Sequence, residues 1–382
     1  MLASSFRCLV FAVALAGVLP GQADAAWITA THPCPGGNRT DALHRDSDGT
    51  LWVGCGTNAT GYGLFYSENG GANWSPAAVS PADALNEFRV NSISRGHDGA
   101  LYVAGFRAST RDMVLRFNTA SSPFVVTITL QGINQVGRSF HVGTYRELSD
   151  GRAIAESLNG VDLLYRPTSS TGSGAADWTR VQDLTRQILD MAVHEDRFYG
   201  VGGLINAPPS VFLPPTVPGA APYEFNMQVP TVAAGWEGEL WGMAISAQRL
   251  VAVGVDQDAD VGKILVSGAN PAAMGSYIEH ELPDIVGPGG IGTWARGVCM
   301  RGDQVVVVGE RQPLSSGNGL VMRSTNGGQS FTAIPPPGVT ASVSKCVIEP
   351  DGTVVVAGAA GFIGIYESAM DNTLFANGFE GN

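Results

Sequence analysis

A short pattern returns about every fifty residues along the chain: a polar Asp-Gly turn, an apolar strand, and a glycine at the end of that strand. It is first seen at Asp48–Gly54, again at Asp98–Gly105, and for the last time at Asp351–Gly358. A repeat of this length that is built from hairpins rather than helices is typical of a β-propeller, in which each repeat forms one four-stranded blade. The pattern therefore predicts an all-β ring.

The number of blades follows from the glycines that end these strands, which are Gly54, Gly105, Gly202, Gly254, Gly309 and Gly358. The interval from Gly105 to Gly202 spans two repeats, and the missing one falls at Asp150–Ala155, where alanine takes the place of glycine. The count predicts seven blades.

The seventh repeat ends one strand short, after Tyr366. The segment around Trp27 has the character of a fourth strand, so residues 27–31 are expected to complete the last blade and close the ring. Closure pairs the strand edges that an open array would leave free for aggregation.

The first residues have the features of an export signal: Arg7, an apolar stretch from Leu9 to Leu19, and a small-x-small cleavage site at Ala23-Asp24-Ala25. We therefore expect a signal peptide at residues 1–26, one propeller domain at 27–368 and a C-terminal tail at 369–382. The protein is expected to be secreted, periplasmic or on the outer cell surface, with no insertion into a membrane.

The charge of the chain limits its partners. The formal net charge is −12, and loss of the signal removes Arg7 and Asp24, one charge of each sign, so it stays at −12. An acidic protein does not suit nucleic acid or an anionic membrane, since both select a cationic surface.

Four cysteines remain after the signal: Cys34, Cys55, Cys299 and Cys346. An even number in an oxidising compartment indicates two disulfides, and four cysteines allow three pairings. The pairing of Cys34 with Cys55 and of Cys299 with Cys346 is favoured, because each pair falls within one blade or in neighbouring blades.

Two segments resemble the Asp-box, or bacterial neuraminidase repeat, with asparagine in the aspartate position. They are Ser67–Trp74 and Ser324–Phe331. In such a hairpin the Asn side chain satisfies backbone donors, glycine adopts positive φ, and the aromatic residue packs under the turn. The chain thus resembles sialidases, sortilin-like receptors and the photosystem II assembly-factor propellers, and the resemblance implies a fold rather than an activity.

A sialidase-like activity is suggested by Phe88-Arg89-Val90-Asn91, which resembles the Tyr/Phe-Arg-Ile-Pro motif of that family. There the arginine helps to bind a substrate carboxylate, so Arg89 is a candidate catalytic residue. His44 and Tyr145 are further candidates, as residues that could face the central channel and act as acid or base. An ordinary surface arginine and structural His and Tyr side chains are the alternatives.

Alternate carboxylates at Asp256, Asp258 and Asp260 have the spacing with which a calcium loop gathers oxygen ligands. The loop lacks the glycine and the glutamate of an EF-hand, so a solvated acidic loop is the alternative. No other cofactor is indicated.

Scaffold signals are abundant and no complete catalytic constellation is present. The sequence therefore predicts an exported monomeric propeller that binds a protein or a glycan. A carbohydrate-active enzyme, either a sialidase-like glycoside hydrolase or a polysaccharide lyase, is the alternative.

Overall fold

The computed structural model of the chain describes residues 26–30, 33–34, 40–56, 61–107, 112–131, 142–157, 163–167, 178–181, 186–204, 206–283, 292–311, 319–334, 336 and 342–367. Strands dominate these residues, and the helices among them are three short 3-10 turns at Thr231–Ala233, Met274–Ser276 and Ala359–Gly361. The predicted C-terminal tail, and the predicted signal peptide up to residue 25, lie outside the described part of the chain.

The first described strand is β1 (Ala26–Thr29), which belongs to the last blade. Blade 1 contains β2 (Thr40–Arg45), β3 (Leu51–Gly56), β4 (Gly61–Ser67) and β5 (Ser75–Pro76). A short strand, β6 (Val79–Ser80), follows and pairs with the outer strand of blade 2. Blade 2 contains β7 (Arg89–Arg95), β8 (Leu101–Phe106), β9 (Asp112–Asn118) and β10 (Phe124–Gln131).

Blades 3 to 6 repeat this arrangement with four strands each. Blade 3 contains β11 (Val142–Glu147), β12 (Ala153–Ser157), β13 (Leu163–Arg166) and β14 (Thr179–Val181). Blade 4 contains β15 (Gln187–His194), β16 (Arg197–Gly203), β17 (Ser210–Leu213) and β18 (Asn226–Gln228). Blade 5 contains β19 (Gly238–Ile245), β20 (Leu250–Asp256), β21 (Val261–Val266) and β22 (Ile278–Glu281). Blade 6 contains β23 (Thr293–Arg301), β24 (Gln304–Arg311), β25 (Gly319–Ser324) and β26 (Thr332–Ala333).

Blade 7 joins the two ends of the described chain. It contains β27 (Val343–Ile348), β28 (Val354–Gly358) and β29 (Ile363–Glu367), and β1 supplies its outer strand. Trp27 lies opposite Tyr366, their rings are 5.1 Å apart, and the Trp27 indole donates to the Ile334 carbonyl of blade 6 at 3.1 Å. The chain is therefore a seven-bladed β-propeller whose ring closes as the sequence predicts.

The core of the ring lies between the blades. The described residues form seven apolar clusters, and each cluster fills the space between two neighbouring blades, including the space between blades 7 and 1. Because every blade face is covered by a neighbour, apolar side chains alternate onto both faces of each sheet.

The two faces of the ring are distinguished by strand direction. We call the upper face the one at which each innermost strand begins and each second strand ends. The lower face carries the turns between first and second strands and between third and fourth strands.

Every innermost strand has a β-bulge near its upper end. The register against the second strand skips one residue in all seven blades. The skipped residues are Asp41, Asn91, Gly143, Leu189, Trp241, Arg296 and Ser344. A bulge bends its strand and redirects a side chain, so seven bulges at one height form a collar around the channel.

The bulges explain the repeated glycines. In blade 5, Gly254 lies opposite Leu240, and a Cβ atom there would lie 1.9 Å from the Glu239 carbonyl oxygen. Gly105, Gly202, Gly309 and Gly358 meet the corresponding carbonyl in their blades at similar distances. In blades 1 and 3 the residues at this position are Cys55 and Ser157. The assignments of Gly54 and Ala155 to the glycine position are thus wrong, by one and by two residues, although the blade count is correct.

Both disulfides have the favoured pairing. Cys34 bonds Cys55 at a Cα separation of 5.5 Å, and Cys299 bonds Cys346 at 5.7 Å. The second bond links the innermost strands of blades 6 and 7 directly.

The two Ser-x-Asn-Gly-Gly segments form the hairpins expected of them. In blade 1, the Asn69 side-chain oxygen accepts the Asn73 N–H at 2.9 Å, and the Ser67 hydroxyl oxygen accepts the Gly71 N–H at 2.9 Å. The 324–330 segment of blade 6 makes the equivalent bonds at 3.0 and 2.8 Å. Gly70 and Gly71 have φ of +67° and +90°, which favours glycine.

We expect Gly254→Ala to lower the free energy of unfolding by about 1–3 kcal/mol, because its Cβ would displace the backbone at the bulge. Gly235→Ala is the matched control, since a Cβ there meets nothing within 4 Å. Chemical denaturation of both variants measures the difference. Equal stability of the two would contradict the role assigned to the bulges.

Closure of the ring by β1 is tested with two neighbouring residues. Trp27→Ala is expected to cost about 2 kcal/mol of unfolding free energy, because it removes a half-buried ring that joins blades 6 and 7. Ile28, on the same strand, is 46% exposed, so Ile28→Ala should stay within about 0.5 kcal/mol of wild type. A Trp27 variant as stable as the Ile28 variant would show that this strand is dispensable.

Candidate functional site

The collar of bulges surrounds a cavity of about 180 Å³ on the channel axis. Each blade contributes the residue that follows its bulge. These residues are Ala42, Ser92, Thr144, Asp190, Gly242, Gly297 and Lys345. Five of the seven are small, because neighbouring innermost strands approach closely here: a Cβ on Gly297 would lie 2.4 Å from the Ser344 carbonyl oxygen.

The cationic side chains that line this cavity outnumber the acidic ones. Both oxygens of Asp190 already accept backbone N–H groups, from Met191 at 2.9 Å and from Met243 at 3.0 Å. Arg146, one layer below the collar, donates to the Ser92 hydroxyl at 3.1 Å and lies 3.8 Å from Asp190. Lys345 has no hydrogen-bond or ion-pair partner among the described residues.

A stack of two tryptophans and an arginine lies at the upper rim of blades 5 and 6. The Arg296 guanidinium lies 4.4 Å from the Trp241 ring centroid and 4.5 Å from that of Trp294. Its Nε donates to the buried carboxylate of Glu310 at 2.7 Å, and a second nitrogen of the same guanidinium bonds the same oxygen. Trp241 and Arg296 are the bulge residues of neighbouring blades, so they lie at the same height in the ring. The bulges therefore bring the two side chains together.

Hydrogen bonds to the indoles hold this stack rigid. Trp241 donates to Glu239 at 3.0 Å, and Trp294 donates to Asp260 at 2.8 Å. Asp260 has a φ of +51°, and a Cβ on Gly292 would clash with its carboxylate. Both rings keep partial exposure on the upper face. We call Trp241, Arg296 and Trp294 the rim stack.

The three candidate calcium ligands, Asp256, Asp258 and Asp260, are not brought together as a cluster within the described part of the chain. The Asp260 carboxylate accepts the hydrogen bond from Trp294 of the rim stack. The described residues contain no group of three or more His, Cys, Asp or Glu side chains placed to hold a metal ion. Asp256 ends strand β20, and Asp258 follows it in an exposed turn.

Arg89 lies at the upper end of blade 2, where its Nε donates to Asp41 of blade 1 at 3.1 Å. The guanidinium therefore joins two blades through an ion pair with the bulge residue of blade 1. Its side chain is 18% exposed.

Tyr145 is fully buried between blades 2 and 3 and does not line the channel cavity. Its hydroxyl donates to Glu147 at 3.0 Å and accepts from Arg166 at 3.2 Å, while Arg166 also donates to Glu147 at 3.0 Å. His97, at the lower surface, bonds the same carboxylate. Burial raises the pKa of Glu147 and the pKa of Tyr145, although the Arg166 charge lowers both. Sequence reasoning missed this cluster because only Tyr145 and Glu147 share a strand, whereas Arg166 comes from β13 and His97 from a turn of blade 2.

His44 lies near the lower end of β2, where its Nε2 bonds Asp46 at 3.0 Å. Burial alone would raise the pKa of Asp46, but hydrogen bonds from His44, Arg95 and Trp52 hold it well below its usual range. Asp46 thus joins blades 1 and 2 through hydrogen bonds, and His44 is one of its hydrogen-bond partners.

Glu156 is the one charged residue at its position in the ring. It lies opposite Thr144, just below the bulge, where the other six blades have Gly54, Ala104, Val201, Val253, Val308 and Ala357. It is 2% exposed, and neither carboxyl oxygen has a hydrogen bond of normal geometry within the described residues. Burial and the charge of Asp190 raise the pKa of this carboxyl well above its usual range, and the Thr144 amide offsets them only in part.

A larger concavity, of about 710 Å³, lies on the lower face among the loops of blades 3 to 5. Its walls include the proline-rich loop of blade 4, and its Arg152 is already paired with Asp150 at 2.6 Å. Most of its lining side chains are apolar, many of them prolines, so we take the collar and the rim stack, where charged side chains meet, as the candidate site. No helix among the described residues is long and apolar enough to cross a membrane.

The fold and the site define a seven-bladed β-propeller with a polar channel mouth. No protein-family model and no curated protein sequence match the chain.

Solved structures match it across the whole ring. YCF48 from Cyanidioschyzon merolae has a TM-score of 0.60 at 13% identity and covers 90% of this chain and 99% of that chain. YCF48 bound to D1 peptide has a TM-score of 0.57 at 16% identity, with 90% and 97% covered. A streptogramin B lyase has a TM-score of 0.60 at 12% identity, with the same two coverages. At these identities the similarity shows the fold.

Glu156 leads to a prediction about pH. Its folded pKa is raised above the ordinary value of about 4.3, so the folded protein keeps a proton that the unfolded chain releases. Stability should therefore fall as the pH rises from about 4.3 towards the raised pKa. Glu156→Gln removes this loss, so the variant should be more stable than wild type at pH 8.

Urea denaturation between pH 4 and pH 8 measures this effect as the difference between variant and wild type, which should vanish near pH 4. Glu367→Gln removes the same charge from an exposed position and should show no such trend. A constant difference across this range would contradict the assignment to Glu156.

Proposed function

We propose that the chain is an exported, monomeric propeller that binds a segment of another protein across its upper face, with the rim stack as the anchor. The observation that carries this proposal is the rim stack itself. Trp and Arg are enriched among the residues that dominate binding energy at protein interfaces. Here they are held rigid by three carboxylates, so little side-chain entropy is lost when a partner covers them.

Export and domain limits form part of the proposal. Two disulfide bonds support an oxidising compartment, because such bonds persist outside the cytoplasm. The pairing of β1, which starts at Ala26, with β29 supports a propeller that begins within one residue of the proposed limit at 27. The proposed division is a signal peptide at 1–26, a propeller at 27–368 and a tail at 369–382. The hairpins at Ser67 and Ser324 support the resemblance to Asp-box propellers.

A protein ligand is preferred to a glycan. Among the solved structures of this fold, YCF48 is bound to D1 peptide, so a propeller of this shape can bind a peptide segment. The indole N–H groups of the rim stack are occupied by carboxylates, which leaves them unable to donate to sugar hydroxyls.

Selection from a random displayed-peptide library on the immobilised full-length protein tests the proposal. Enriched peptides should bind wild type and lose at least about tenfold in affinity with Trp241→Ala or Trp294→Ala, as expected for anchor residues. Ile278→Ala is the matched control, because this residue is also exposed and lies on the outer strand of blade 5. Failure to enrich any peptide, or binding that both Trp variants retain, would refute the proposal.

A second candidate is a carbohydrate-active enzyme, a sialidase-like hydrolase or a polysaccharide lyase. The observation in its favour is the Tyr145, Glu147 and Arg166 cluster, since sialidases use a tyrosine with a glutamate partner beside arginines. Tyr145 and Arg166 are buried, so a substrate would have to open the space between blades 2 and 3. Hydrolysis of fluorogenic glycosides that is lost in Tyr145→Phe would favour this candidate over peptide binding.

A further inference from the structure

The cavity inside the collar borders the rim stack at Arg296, but its other lining residues give it a chemistry of its own. Its volume of about 180 Å³ has room for several water molecules or one small solute. Three cationic side chains line it, Arg146, Arg296 and Lys345, against the single acid Asp190. This composition contrasts with a chain whose net charge is −12.

Two of the three cations are not fully neutralised by the described residues. Arg296 is paired with Glu310 and belongs to the rim stack. Arg146 has only Asp190 as a counter-charge, at 3.8 Å, and Asp190 already accepts two backbone N–H groups. Lys345 has no partner within the described residues. A buried or half-buried cation without a partner costs free energy unless an anion joins it.

A neutral donor on the same wall is also unsatisfied. Ser344, the bulge residue of blade 7, lines the cavity and is 4% exposed, yet its hydroxyl has no hydrogen-bond partner within the described residues. Buried hydroxyls are normally hydrogen-bonded, so an orphaned one beside a cavity indicates a missing acceptor. Burial lowers the pKa of the Arg146 guanidinium, and the charge of Asp190 offsets this only in part.

We propose that this cavity is a binding site for a small oxyanion, a carboxylate or phosphate group, held by Arg146, Lys345 and the Ser344 hydroxyl. Arginine binds the two oxygens of such a group in a fork, lysine adds a point charge, and the hydroxyl donates to a third lone pair. The site goes beyond the proposed peptide binding and does not depend on it, because its residues lie inside the channel rather than on the rim.

Isothermal titration of the full-length protein tests the site with four probes: inorganic phosphate, sulfate, acetate and succinate, at constant ionic strength. Saturable one-to-one binding of at least one probe is expected. Binding of phosphate and sulfate alone would identify a tetrahedral oxyanion site, while binding of acetate or succinate would identify a carboxylate site, and both outcomes support the proposal. No saturable binding of any probe at 10 mM would overturn it, 10 mM being on the order of ten times a weak dissociation constant of about 1 mM.

Variants assign the binding to the named residues. Lys345→Met keeps the apolar stem but removes the charge, and should weaken binding by about tenfold or more, the usual worth of a charged hydrogen bond. Ser344→Ala, which removes one buried hydroxyl, should weaken it by a smaller factor and leaves the fold intact, so it remains informative if Lys345→Met is unstable. Arg301→Gln removes a charge from an exposed position and should bind as wild type does. Binding that neither Lys345→Met nor Ser344→Ala affects would overturn the assignment.

Discussion

The ring depends on one steric constraint, the close approach of a backbone carbonyl in each innermost strand to the strand beside it. The bulge pushes the carbonyl of Glu239 to within 1.9 Å of where a Cβ on Gly254 would lie, and four other blades repeat the contact with a glycine. In these five blades glycine leaves the carbonyl in place, whereas Cys55 and Ser157 occupy the position in blades 1 and 3. The recurring glycine on the second strand is thus explained by the bulge in the innermost strand beside it.

The same collar determines where polar chemistry can occur. Small residues such as Gly242 and Gly297 let the innermost strands converge, which closes the channel to a cavity instead of a pore. Bulged residues are turned out of the alternating pattern, so they can be Trp, Arg or Asp where a regular strand would bury an apolar side chain. The rim stack and the Asp41–Arg89 pair both arise in this way. The polar side chains released by the bulges are therefore concentrated at the upper end of the channel, while apolar clusters between the blades provide stability.

Local signals made the fold predictable, and contacts between blades made the site unpredictable. Asp-Gly turns, strand-ending glycines and cysteine spacing act over short stretches of chain, so the blade count, the closing strand and the disulfides follow from the sequence. From the sequence, Tyr145 could face the channel. Whether a side chain of β11 points into the channel or between blades depends on the bulge in that strand, and the residue types do not predict the bulge. Glu156 looks ordinary in the sequence. The pairing of each second strand with its innermost strand shows that the other six blades have small or apolar residues at the position of Glu156.

Two groups of polar residues, one between blades 2 and 3 and one at the channel mouth, could explain what the protein does. They differ in their access to solvent. The Tyr145, Glu147 and Arg166 cluster has the residue types of a catalytic centre, but its own members satisfy one another and Tyr145 is fully buried. Such a network fixes the packing of two blades. The channel mouth has the opposite character, since Lys345 and the Ser344 hydroxyl remain without partners within the described residues and face a cavity. Polar groups that a protein leaves unsatisfied next to a space are available to a ligand, and for this reason we propose binding at the collar and its rim.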